Sequence, residues 1–149
     1  NVYGPGEIPG AYRNVIPNFM YKALHKHPLT VTGTGDETRD FTFVEDIVQG
    51  TLRLGVVPEA GGDAFNLASE IETKVIEIAT MINEITGNTG GIQYIPRRNW
   101  DKIIKRRASI EKASRVLGYK PMVSMKAGIS RVHEWFVDNK ERIETSARF

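Results

Sequence analysis

The residues best suited to chemistry lie between Gly33 and Asp46, in the order GTGDETRDFTFVED. A glycine-pinned turn leads to Arg39 and Asp40 at the mouth of an apolar run, Phe41-Thr42-Phe43-Val44, and an acidic helix start follows. Glycines let backbone approach a ligand closely, and the Arg39 guanidinium is a planar fork of donors matched to phosphate oxygens. Competing with phosphate binding is a structural ion pair of Arg39 with Asp40 or Asp46. A second cluster is Arg97-Arg98-Asn99-Trp100-Asp101. There one arginine can grip a phosphate while Asp101 accepts hydrogen bonds from vicinal hydroxyls such as those of a ribose, although a solvated loop is the plainer reading. The basic run from Lys102 to Arg107 reads as wet surface. Trp100 beside it raises a nucleic-acid patch, which 20 basic against 18 acidic residues disfavours.

Other chemistries lack their parts. No G-x-G-x-x-G stands between a strand and a helix with an acidic residue about 20 positions on, and Gly33-Thr34-Gly35 leads into a strand instead. Three histidines, His25, His27 and His133, have neither metal-ligand spacing nor a nucleophile elbow beside them. No metal site or catalytic triad is expected. Cysteine is absent, which removes disulfides and thiolate sites and makes a reducing cytoplasm the expected setting. No run reaches the roughly 18 apolar residues of a membrane span.

Short elements must position these clusters. Val2-Tyr3 reads as the end of a strand, and Asn14 as the cap of a helix with Pro17 in its first turn and Phe19, Met20, Ala23 and Leu24 on one face. Leu29 to Thr32 and Thr38 to Val44 read as two strands joined by the Gly33–Asp36 turn in a hairpin. A helix from Glu45 follows, with Ile47, Val48, Leu52 and Leu54 as its apolar positions despite Gly50. Ala64 to Leu67 reads as a strand. A periodic helix runs from Thr73 through Val75, Ile78, Ala79, Ile82 and Ile85 to Gly87. Ile92 to Ile95 is a strand, Ser109 to Leu117 a helix closed by Gly118, and Ser124 to about Ile143 the terminal helix. Strands alternating with helices predict a small mixed α/β domain over residues 1–149, and 40% hydrophobic content is enough for one core.

Seven segments then resemble a known family in that family's order: Asn1 to Gly6, Val15 to Phe19, Leu29 to Gly35, Thr38 to Phe41, Phe65 to Ser69, Arg98 to Asp101, and Leu117-Gly118-Tyr119-Lys120-Pro121. The chain resembles the carboxy-terminal, substrate-binding part of an extended short-chain dehydrogenase/reductase of the nucleotide-sugar epimerase/dehydratase group. The resemblance implies the substrate portion of an extended Rossmann-type enzyme, with a nucleoside-diphosphate sugar, UDP-linked in many members, as ligand. It assigns Asn1 to substrate contact, Asn18 to the diphosphate at a helix start, and Val31 and Thr32 to the backbone beside the base. Arg39 and Arg98 fall to the phosphates and Asp101 to the ribose. Trp100 stands where many members carry glycine, Ser109 replaces a frequent aspartate, and Gly6 occupies a position where the sugar-acid decarboxylase branch tends to carry arginine. The epimerase branch is therefore the expected one.

Family catalysis uses bound nicotinamide and a tyrosine and lysine four residues apart. Here Tyr3, Tyr12, Tyr21, Tyr94 and Tyr119 are followed four places on by Glu7, Ile16, His25, Arg98 and Val123. No catalytic or cofactor-binding residue is therefore expected in this chain, and NAD is expected only for the complete enzyme. The expected partners are the sugar nucleotide and either the cofactor-binding domain or a second copy, with no nucleic acid and no membrane. A contrasting reading makes the chain a non-catalytic module that pairs with another chain through exposed strand edges.

Overall fold

The computed structural model describes all residues except Tyr12, Arg98, Trp100, Asp101 and Lys102. Helix α1 (Val15–Leu24) buries Ile16, Phe19, Met20 and Ala23, the three- and four-residue spacing that makes one apolar stripe. Helix α3 (Val75–Thr86) buries Ile78, Ala79 and Ile82, and helix α5 (Met125–Asp138) buries Gly128, Ile129, Val132 and Phe136. These three stripes meet Leu29, Val31, Phe41 and Phe43 in the main core. A smaller core gathers Ala60, Ala68, Ile110, Ala113, Leu117 and Tyr119 between helix α2 (Val44–Val56) and helix α4 (Glu111–Leu117). Burial, with Asp46 and Asp40 nearby, pushes the Tyr119 hydroxyl up to about 12, and it donates to Ala68 O at 3.1 Å.

Among the described residues, six short strands form three separate pairs. Strand β1 (Val2–Tyr3) runs parallel to β4 (Thr42–Phe43), β2 (Leu29–Thr32) parallel to β6 (Ile92–Ile95), and β3 (Thr38–Asp40) antiparallel to β5 (Glu72–Lys74). The architecture is the expected mixed α/β, but the expected hairpin is not formed. Strand β2 takes a distant partner in register Leu29↔Ile92 to Thr32↔Ile95, and the Thr38–Val44 run divides between β3, β4 and the start of α2. The Gly33–Asp36 turn is held otherwise: Gly33 and Gly35 both have positive φ, Gly35 N–H donates to the Glu37 carboxylate at 3.0 Å, and Lys74 pairs with Asp36 at 2.8 Å. Lys74 thereby holds the Asp36 carboxyl below its usual range.

Smaller expectations also shift. Residues 64–67 are not a strand, and a strand, β5, occupies Glu72–Lys74 where the sequence suggested the start of a helix. Asn14 sits at the cap position of α1, yet its amide donates to Glu7 Oε1 at 2.7 Å rather than capping. The terminal helix breaks at Asn139, whose amide Nδ2 turns back to Trp135 O at 2.9 Å; helix α6 (Lys140–Ser146) follows. On α2, Val48, Leu52 and Val56 are 50, 68 and 77% exposed, so its apolar positions are only partly used.

Gly128 shows why one helix tolerates a poor helix former. A Cβ there would lie 2.8 Å from Tyr3 Cζ and 3.0 Å from Phe43 Cδ2, and would strike the Tyr3 hydroxyl. Gly→Ala inside an exposed helix stabilises. Gly128→Ala should instead cost about 1–3 kcal/mol through overpacking, read as a lower urea midpoint at unchanged m-value.

Candidate functional site

A cleft of about 550 Å³ opens where α1, β2, β3 and β6 meet. The period of two along β2 sends Leu29 and Val31 into the core and leaves Thr30 and Thr32 half-buried on the cleft side. The same alternation directs the Leu29 and Gly33 amides to Gly91 and Ile95 carbonyls, each at 2.9 Å, so Val31 also faces β6 and the Thr30 and Thr32 peptide groups face away from it. One end of the cleft holds Asn1, Arg39 and Phe41, and the α1 wall contributes Asn14, Asn18, Phe19 and Lys22. Gly10, Ala11, Arg13 and Phe149 also line it.

Four of the expected residues, Asn1, Asn18, Thr32 and Arg39, line this one cleft. Val31 does not; it is fully buried and takes part through its strand alone. Arg98 and Asp101 lie outside the described residues. Asn18 has a particular geometry: its Oδ1 accepts from Gly10 N–H at 2.8 Å and its Nδ2 donates to Gly10 O at 3.0 Å. It thus stitches Gly10 to the start of α1. Arg39 stands on β3 with Nη1 donating to Thr38 O at 2.8 Å and Ile104 O at 3.3 Å. Backbone carbonyls thus hold part of its guanidinium, and neither Asp40 nor Asp46 forms the ion pair with it that the sequence also allowed.

Sequence reasoning passed over Arg13, Lys22, Thr30 and Glu37. Lys22 Nζ donates to Thr30 Oγ1 at 2.6 Å, and the Glu37 carboxylate lies 3.9 Å from Arg97 Nη1 inside the cleft. Asn14, Asn18 and Lys22 recur at four-residue spacing, a polar stripe down α1 that was readable as a ligand-facing edge. Among the described residues lining the cleft, Arg13, Lys22, Arg39 and Arg97 outnumber Glu37, which favours an anionic guest. Among the described residues no group of three or more carboxylates and histidines is placed to hold a metal, and no helix is long and apolar enough to cross a membrane.

Known proteins resemble this chain in sequence and fold. The model of the NAD dependent epimerase/dehydratase family matches residues 1–68. UDP-glucuronic acid decarboxylase 2 of Arabidopsis thaliana is 38% identical over 129 residues, covering 87% of this chain. These matches support membership of that family. Two solved structures match the chain in fold. Epimerase Mth375 of Methanothermobacter thermautotrophicus is 55% identical over the whole chain with a TM-score of 0.98. Bordetella bronchiseptica WbmF, solved with NAD+ and UDP, is 43% identical over 97% of the chain with a TM-score of 0.84. The chain spans 28% of the decarboxylase's length and 44% and 46% of the two solved chains, so it corresponds to less than half of each.

Proposed function

We propose that this chain binds a nucleoside-diphosphate sugar, as the carboxy-terminal, substrate-binding portion of an NAD-dependent epimerase or dehydratase. The observation that carries the reading is the convergence of Arg39, Asn1, Asn18 and Thr32 on one cleft whose described charged residues are mostly cations. Arg39 supplies the fork for a phosphate, with Arg98 as its proposed counterpart, and Asp101 holds the ribose. Thr32, whose peptide groups face away from β6, is the backbone the base lies against. Asn18 acts at the helix start, where it braces Gly10 at the cleft wall. The UDP held by WbmF supports a uridine ligand.

The residues present do not make a dinucleotide site, since the sequence holds no G-x-G-x-x-G and Gly33-Thr34-Gly35 leads into a strand. NAD therefore has no seat on this chain in the proposal and belongs to the longer enzyme. With no Tyr-x-x-x-Lys among its residues, the chain alone binds and orients substrate without turning it over. UDP at a hundred times its Kd should stabilise the chain by about 2.7 kcal/mol, seen as a higher Tm in a thermal scan. An unmoved Tm with UDP-, dTDP-, CDP- and GDP-sugars would sink the reading.

A second reading keeps the pairing with another chain but moves it from the strand edges expected from the sequence to the exposed Val48, Leu52 and Val56 stripe of α2. Light scattering separates the two, because a monomer that binds UDP removes the need for a partner.

A further inference from the structure

Consecutive residues on β3 face opposite ways, and the two charged ones divide accordingly: Arg39 is half-buried at the cleft, whereas Asp40 is only 5% exposed and points behind it. The Asp40 carboxylate is a hub. Its Oδ1 accepts from Ser69 N–H at 3.0 Å, Ser69 Oγ at 2.6 Å and Thr42 Oγ1 at 3.3 Å. Its Oδ2 accepts from Glu70 N–H at 3.1 Å and Ala108 N–H at 3.4 Å. Glu70 adopts a left-handed φ of 63°, a conformation costly for a residue with a side chain and held here by that bond. The segment reached through Ala108 is also tied to β3 by Thr38 N–H to Ile104 O at 2.9 Å, and Ile104 O is the carbonyl that receives Arg39 Nη1. Three successive β3 residues thus grip one segment, and the guanidinium leans on it.

We propose that Asp40 is a positioning residue for ligand binding: it clamps the 104–108 segment and the 69–70 turn to β3, and so fixes where the Arg39 guanidinium meets a phosphate. The proposal rests on the cleft being a nucleoside-diphosphate site. A carboxylate suits the task because every group facing it is a donor, and only an acceptor-only side chain satisfies all of them. An amide of the same size would turn an NH2 toward the Glu70 and Ala108 amides and release the segment.

The test compares UDP with uridine on the 149-residue chain by NMR titration and calorimetry, using Asp40→Asn and Ser69→Ala, which removes a single bond to the hub. Asp40→Asn should weaken UDP about tenfold while uridine changes less than about twofold, with faster exchange of the Ala108 amide proton. Ser69→Ala should move UDP in the same direction by less, and it carries the test if Asp40→Asn does not fold. An equal loss for UDP and uridine would reduce Asp40 to a structural role, and an unchanged UDP affinity with a released Ala108 amide would uncouple the clamp from binding. Either overturns the proposal. If the unmodified chain binds neither ligand, the cleft reading fails first and the proposal falls with it.

Discussion

Arg39→Ala is expected to weaken UDP binding by about tenfold to a hundredfold, the equivalent of the 1.5–3 kcal/mol typical of a charge-assisted hydrogen bond. Most of the rise in Tm with UDP should disappear with it. The fold should survive, because the side chain is only half-buried and Ile104 O keeps its bond from Thr38 N–H when the guanidinium is gone. Arg39→Lys should recover little, since an ammonium is a point charge without the planar fork and cannot reach both a phosphate and the backbone carbonyls in the same geometry. Calorimetric titration of UDP against each variant measures the effect. Equal affinity in Arg39→Ala and the unmodified chain would remove Arg39 from the site.

The largest stability effect is expected at Asp46, in the first turn of α2. Its carboxylate is 4% exposed and accepts from Met122 N–H at 2.8 Å and Val123 N–H at 3.2 Å, tying the start of α2 to the strand-like approach to α5. Asp46→Ala removes the buried carboxylate that accepts both bonds and leaves two part-buried amides without that partner. The cost should be about 3 kcal/mol, or roughly 6–12 °C in Tm for a chain of this size. Asp46→Asn should cost less, because its Oδ1 still accepts from one amide. Chemical denaturation of the two variants orders them, and a stability loss in Asp46→Ala below about 1 kcal/mol would show that water reaches these amides.

Helices were legible because their periodicity is local. Ile16, Phe19, Met20 and Ala23 on α1 and Ile78, Ala79 and Ile82 on α3 repeat at the spacing of one helix face, and each is buried as that spacing requires. Strand pairing was not legible. Leu29–Thr32 carries its two-residue alternation in the sequence, but nothing in four residues says whether the partner is the next strand or one far along the chain; the Gly33–Asp36 turn suggested the former, and Ile92–Ile95 is the partner. Likewise Asn139, a residue with ordinary helix-side neighbours, ends α5 by bonding back to Trp135 O. In the site, Arg39 stood out because charge beside glycines and an apolar strand is rare. Lys22 and Arg13 did not, because a cation on a helix or loop looks like surface until the opposing strand is known.

The parallel pairing of β2 with β6 also governs the order in which the chain can assemble. The helices α1 and α3 form from local sequence, but Thr30 and Thr32 become a wall only when Leu29–Thr32 has closed the long intervening stretch to meet Ile92–Ile95. Closing such a loop costs chain entropy before any contact repays it, so this pairing belongs to the late, native side of the folding barrier. A guest that needs the finished wall has nothing to hold earlier. It acts on the rate at which the molecule comes apart and leaves the rate at which it comes together unchanged.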